Sequence, residues 1–118
     1  MTPSEIAGLF PKATKIALVS DSNVDRLYGD RIAREIESGG IRVDRLVFPA
    51  GEQSKTLENH ARLVRAFAAF EMTRSDAVVA LGGGVTGDLA GFAAATYMRG
   101  IPFVQIPTTL LAMVDSSI

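Results

Sequence analysis

The densest chemistry in this sequence lies in Gly82-Gly83-Gly84-Val85-Thr86-Gly87-Asp88. Gly82, Gly84 and Gly87 satisfy the spacing G-x-G-x-x-G, between a short apolar run and a stretch of small residues. Glycine at such a place lets the backbone approach a diphosphate, and the free amides at a helix start favour its negative charge. A tight strand-to-helix turn also uses glycine, but three in succession exceed what a turn needs. Two features depart from an ordinary dinucleotide fingerprint. The motif follows the third apolar run rather than the first, and no acidic residue lies about twenty positions on to hold a ribose. Asp88 would repel a phosphate directly beside it, unless it bonds a sugar hydroxyl or a nicotinamide instead.

A second cluster, Gly51-Glu52-Gln53-Ser54-Lys55, gathers a carboxylate, an amide, a hydroxyl and an amine. A carboxylate can take both hydroxyls of a ribose, and Lys55 can reach an adenine or a phosphate. The same residues suit a solvated loop that ends in a helix cap. Asp21 and Asn23 follow another apolar run and read first as turn and capping residues. Thr108 and Thr109 after Pro107 also have the form of a helix cap. Asp115 lies about two helical turns further, near the same rim. Arg99 ends a small-residue segment, where an arginine either complements the helix dipole or offers a bidentate fork to phosphate. His60, the only histidine, falls in mid-helix as a surface residue. One histidine and no cysteine leave no metal set among these residues and no Ser-His-Asp triad to argue.

These clusters need elements to hold them. Lys15–Ser20, Ile41–Phe48, Asp76–Leu81 and Ile101–Ile106 are apolar runs of strand length. Between them, Val24, Leu27, Tyr28, Ile32 and Ile36 repeat at helical spacing and stop at Gly39-Gly40, with Ser22 or Asn23 as cap. A second helix is expected after Thr56, with Leu57, Ala61, Val64 and Ala68 on one face and Leu63, Phe67 and Phe70 widening it. A third runs from Leu89 to about Met98. Strands alternating with helices in this way predict a parallel α/β sheet with right-handed crossovers. Ligands in such sheets sit beyond the carboxyl ends of the strands. The glycine motif, the Gly51–Lys55 loop, Asp21–Asn23 and Pro107–Ser117 all lie there.

The chain has 118 residues, 47% hydrophobic and 21% charged, with net charge -1. That fits one ordinary globular domain over 1–118 and argues against a nucleic-acid or anionic-membrane partner. Cysteine is absent, which removes disulfides and thiolate sites. With no signal-like start and no run of about eighteen apolar residues, a cytoplasmic location is expected and no membrane span. The abrupt stop at Ile118, without cap or polar tail, reads as a cut.

Four segments in register, Pro49–Lys55, Leu81–Phe92, Ala95–Gly100 and Ile106–Ser117, resemble 3-dehydroquinate synthase. The resemblance implies the Rossmann-like NAD-binding part of the dehydroquinate synthase fold, truncated before a helical metal-binding domain. It implies conversion of 3-deoxy-D-arabino-heptulosonate 7-phosphate to 3-dehydroquinate and phosphate, in aromatic amino-acid biosynthesis by the shikimate pathway. The family does so by transient NAD-dependent oxidation, phosphate elimination and intramolecular aldol closure, with a divalent metal, zinc or cobalt. By position, Asp21 and Asn23 are similar to adenosine-side contacts, and Glu52 and Lys55, with Gly51 and Gln53 around them, to ribose and adenine contacts. Gly83, Gly84 and Val85, continuing through Thr86 and Gly87, would hold the diphosphate. Asp88 resembles the carboxylate near the nicotinamide. Thr108 and Thr109, with Leu111 beside them, resemble further cofactor contacts. Asp115 is similar to a residue facing substrate, and Arg99 to one that reaches a neighbouring subunit and binds substrate phosphate, which implies a homodimer. The family's glutamate and two histidine metal ligands have no counterpart here, so the fragment alone is expected to be inactive. Two other readings stay open, a related sugar phosphate cyclase and a non-catalytic NAD-binding module.

Overall fold

The computed structural model describes residue 5 and residues 8–116, with side chains up to residue 113. Four strands form one sheet: β1 (Lys15–Asp21), β2 (Arg42–Phe48), β3 (Ala77–Leu81) and β4 (Phe103–Ile106). Their order is β2-β1-β3-β4, and every pairing is parallel. The expected fold class is what forms. The two central strands are the two most continuously apolar runs. Every residue of β3 is buried, as are all but the end residues of β1.

After β1 the chain makes one helical turn at Ser22–Val24, a π-type stretch at Asp25–Gly29, and helix α1 (Asp30–Glu37). The periodicity of Val24 to Ile36 therefore marks one helical passage, but an uneven one. Asp21, rather than Ser22 or Asn23, is the cap, accepting from the Val24 backbone N–H at 2.8 Å. Gly40, at φ +86°, ends the passage as expected.

Helix α2 (Leu57–Ala69) starts at the expected cap, with Thr56 Oγ1 accepting from Asn59 N at 3.1 Å. Its buried face differs from the expected stripe. Leu63 and Phe67 are buried while Leu57 is 81% exposed and Ala68 is exposed. Leu57 sits in the first turn, outside the reach of the sheet, so the helix rolls onto its largest side chains.

Helix α3 (Gly84–Thr96) begins five residues before the expected Leu89. The chain direction reverses at Gly82 alone, φ +125°, and Gly84 already has helical geometry. Helix α3 ends at Thr96, and a short 3-10 turn, Tyr97–Arg99, follows it. Helix α4 (Thr108–Ser116) leaves β4.

The core has two halves, one on each face of the sheet. Helices α1 and α4 cover Ile16, Leu18, Val79 and Leu81, while α2 and α3 cover Ala17, Val19, Val78 and Ala80. The connection from β1 runs outward to β2, whereas those from β2 and β3 run the other way, to β3 and β4. With right-handed crossovers, opposite directions put helices on opposite faces. The direction changes between β1 and β3, which creates a crevice at their carboxyl ends.

Candidate functional site

Two loops meet at that crevice. Asp21–Asn23 leaves β1 and Gly82–Gly84 leaves β3, with Ser20 and Leu81 paired just below them. They lie close together, since a Cβ added at Gly82 would come within 3.3 Å of Cγ2 of Val24, the residue after the first loop. Gly83 and Gly84 are exposed, and a Cβ on either would meet nothing within 4 Å. No side chain caps the start of α3. Its first amides therefore have neither an intrahelical nor a side-chain partner, and the bare glycine surface gives a ligand room to reach them.

Within the glycine motif, Thr86 and Gly87 face inward and are buried, Val85 is half-buried and Asp88 is exposed. What this turn can offer an anion is thus backbone at Gly83 to Val85, not the Thr86 hydroxyl.

The Gly51–Lys55 loop is rigidly laid out. Gly51 has φ +119°, and the Gln53 side chain folds back to donate to Ala50 O at 2.8 Å. Ser54, buried, donates to Pro49 O at 2.6 Å, and Asn59 donates to Ser54 O at 2.7 Å. Ala50 N donates to Ser22 Oγ at 3.1 Å, which ties this loop to the one after β1. Glu52 and Lys55 are left exposed on the outside of a short 3-10 turn, Glu52–Ser54.

Lys55 reaches across to α3 and pairs with Asp88 at 3.0 Å. Donating a hydrogen bond to the Asp88 carboxylate, and then the charge of that carboxylate, hold the Lys55 ammonium above the usual lysine range. From this pair a groove of about 380 Å³ runs along α2 and α3, lined by Thr56, Leu57, His60, Leu89 and Phe92. His60 is not a bare surface residue. Its ring stacks on Phe92, centroids 4.4 Å apart, and Nε2 lies 2.9 Å from Thr96 Oγ1. A hollow of about 500 Å³ is lined by Asp30, Arg31, Arg34, Glu35 and Ser38, none of them from the carboxyl-end loops.

Asn23, Thr108 and Thr109 are exposed at the same carboxyl rim. Asp21 is half-buried, its carboxylate already engaged as a cap. Leu111, expected beside the cofactor, is 1% exposed and packs in the core, so it supports Thr108 and Thr109 from below. Asp115 lies in the span of α4, but its side chain is outside the described residues. Arg99 is exposed at the opposite end of α3, not on this rim. Met98 (φ +50°) and Arg99 (φ +67°) are both left-handed, and Tyr97 anchors the turn by donating to Met72 O at 2.8 Å.

One partner of the glycine turn escaped the sequence reading. Gln105, on the edge strand β4, donates through Nε2 to Gly82 O and Gly83 O, each at 3.2 Å. Only a strand order placing β4 beside β3 could have revealed it. Among the described residues, no group of three or more His, Asp or Glu side chains could hold a metal ion. No helix among them is long and apolar enough to cross a membrane.

The model of the 3-dehydroquinate synthase N-terminal family matches residues 45–118. The chain is 54% identical over 107 residues to 3-dehydroquinate synthase of Lactococcus lactis subsp. cremoris, covering 91% of this chain and 30% of that protein. The chain thus spans about 30% of the length of the curated relatives it matches. Its fold matches a 2-deoxy-scyllo-inosose synthase complexed with carbaglucose-6-phosphate, NAD+ and Co2+, at TM-score 0.80 and 30% identity over 91% of this chain and 30% of the other. It also matches 2-epi-5-epi-valiolone synthase from Streptomyces hygroscopicus subsp. jinggangensis with NAD+ and Zn2+ bound, at TM-score 0.75 and 34% identity over 98% and 32%.

Proposed function

The chain belongs to the 3-dehydroquinate synthase N-terminal family, and from that premise we propose that residues 1–118 form the NAD-binding part of a 3-dehydroquinate synthase. The observation that carries this reading is the uncapped start of α3 behind two glycines open to solvent, set at the crevice between β1 and β3. A cradle of this kind fits a diphosphate. The two solved neighbours hold NAD+, one with Co2+ and one with Zn2+.

In this reading the amides at Gly83 to Val85 hold the diphosphate. Glu52 takes a ribose, with Gly51 and Gln53 shaping its loop, and Lys55 lies at the adenosine side with Asn23 and Asp21. Asp88 faces the nicotinamide half, and Thr108 and Thr109 close the rim. NAD supplies a reversible hydride acceptor. The chain's own residues bind and orient it, neutralise the diphosphate with backbone dipoles, and place the Asp88 side chain beside the reacting end. Asp115 and Arg99 are proposed to face the substrate, Arg99 from a neighbouring subunit of a homodimer.

The substrate is 3-deoxy-D-arabino-heptulosonate 7-phosphate, converted to 3-dehydroquinate and phosphate in the shikimate pathway, in the cytoplasm. A divalent metal, zinc or cobalt, is used by the whole enzyme, and none of the described residues is assigned to it. These 118 residues alone are proposed to bind NAD without turning substrate over. A related sugar phosphate cyclase is the second reading, favoured by the two solved neighbours. Relatives named 3-dehydroquinate synthase at 49–55% identity weigh for the first.

Calorimetric titration of NAD is the direct test. Saturable binding that is abolished by Gly84→Val supports the reading, whereas wild-type protein that takes up no NAD sinks it. Phosphate release by the 118 residues with NAD and zinc supplied would overturn the proposed inactivity.

A further inference from the structure

Helix α3 lies on the edge strand through small residues. Gly91 sits over Phe103, where a Cβ would come within 3.3 Å of the ring. One turn earlier, Gly87 sits over Gln105, and a Cβ there would overlap the Gln105 carboxamide. Val104 and Ile106 point to the other half of the core, so Gln105 is on the α3 side of β4 by the pleat of the strand, against Gly87 but still exposed at the sheet edge. Its carboxamide fills the space that the absent Gly87 side chain leaves.

The bonds that Gln105 makes have a directional consequence. The peptide bonds of this turn are trans, so the C=O and N–H of one peptide unit point opposite ways. The Gly82 carbonyl shares its unit with the Gly83 N–H, and the Gly83 carbonyl shares its unit with the Gly84 N–H. Pulling both carbonyls down onto Gln105 Nε2 therefore turns the Gly83 and Gly84 N–H groups outward, toward the open face of the turn. The Gly83 carbonyl has a second donor, Gly87 N at 3.1 Å. Gly82 has no Cβ to resist rotation of the unit that follows it. Rotated, that unit would aim a carbonyl, not an amide, at an anion.

We propose that Gln105 is a positioning residue for the phosphate cradle, fixing the Gly82–Gly83 and Gly83–Gly84 peptide units so that their amides face the diphosphate of NAD. The inference rests on the NAD reading above. It adds a residue that touches neither cofactor nor substrate and acts through two main-chain carbonyls. The two hydrogens of one amide nitrogen suit two carbonyl acceptors, which neither a glutamate nor an aliphatic residue of similar length can satisfy.

The test measures the dissociation constants of NAD and of adenosine, which lacks phosphate, for the whole protein. Gln105→Leu is expected to weaken NAD roughly tenfold, the worth of one oriented hydrogen-bond set, and to leave adenosine unchanged. Gln105→Glu, nearly isosteric, is expected to weaken NAD at least as much at pH 7.5. It should recover part of the affinity near pH 5, where a protonated carboxyl can donate to one carbonyl. Gly87→Ala, which pushes the carboxamide aside, should weaken NAD alone and add nothing in the Gln105→Leu background. Wild-type binding with all three variants unaffected overturns the role of Gln105 and leaves the NAD reading standing. Equal loss of NAD and adenosine also overturns it, by making Gln105 a packing residue only. A wild type that binds no NAD overturns both.

Discussion

Strand β3 is flanked by two aspartates that live in opposite circumstances. Asp76, before the strand, is 1% exposed. Its Oδ1 accepts from the backbone N–H of Thr14 at 3.0 Å and of Lys15 at 3.1 Å, and its Oδ2 from Thr73 N at 2.8 Å. Asp88, beyond the strand, is 61% exposed and has only the flexible ammonium of Lys55. The amino end of the sheet is thus closed with main-chain donors, while the carboxyl end keeps its donors open and its carboxylate loosely held. Satisfied main-chain donors are concentrated at one end and open ones at the other.

The largest effect expected from this contrast is at Asp76. Asp76→Ala leaves three part-buried backbone N–H groups without their acceptor and should lower stability by about 2 kcal/mol, read as the shift in urea midpoint at unchanged slope. NAD affinity of the folded fraction should not change. Burial alone would raise the Asp76 pKa, but the hydrogen bonds from Thr73, Thr14 and Lys15 outweigh it, and the group stays below the usual aspartate range. A depressed folded pKa gives stability that is complete above the unfolded value of about 3.9 and is lost as pH falls through the lower folded value. Urea midpoints of wild type should therefore fall below pH 4, and those of Asp76→Asn should fall less. A pH-independent difference between the two would remove Asp76 from this account.

Next in size is Gly82, the one residue of the glycine turn with left-handed backbone. Gly82→Ala combines that backbone with a Cβ 3.3 Å from Val24 Cγ2. A loss of about 1–2 kcal/mol is expected, together with weaker NAD binding. This position couples stability to the carboxyl-end rim, since strain here moves both loops of the crevice. An unchanged midpoint with unchanged affinity would mean that the turn relaxes freely and that its geometry carries no function.

Much of the contrast was legible in the sequence, and what was not has a common cause. The four strands announced themselves as apolar runs because β1 and β3 are buried on both faces. The glycine motif fell at a strand end as its spacing implied. The start of α3 was misplaced because successive glycines mark a turn by propensity, whereas here tertiary packing over β4 carries Gly84 and Gly87 into the helix. Gln105 looked like one polar residue in a strand, and Asp76 like a strand-end aspartate. Their partners lie 22 and 62 residues away, and only the strand order brings them together. The Leu57 stripe failed for the same reason, since the sheet beneath α2 reaches Leu63 and Phe67 but not the first turn.

The smallest expected effect on stability, and the finest test of the comparison, concerns Lys55 and Asp88. Both ends of this pair are about half exposed or more, so solvent screens it and it should add nothing measurable to folding. Lys55→Met and Asp88→Asn should each leave the urea midpoint where it is. Both residues are nonetheless proposed to serve one cofactor, Lys55 toward its adenosine side and Asp88 toward its nicotinamide. A single extended dinucleotide cannot engage them so while they hold each other at 3.0 Å. On that proposal NAD is expected to open the pair, and Asp88→Asn should weaken NAD roughly tenfold through loss of one charge-assisted bond. The opening can be followed at the Lys55 amine by NMR. It should titrate above the ordinary lysine range in the free protein, because the Asp88 carboxylate accepts its hydrogen bond, and return toward that range in Asp88→Asn. In wild type, NAD should shift this titration away from its free-protein position. A Lys55 resonance indifferent to saturating NAD would make the pair a structural clasp, and would leave the carboxyl rim without one of its proposed ligand contacts.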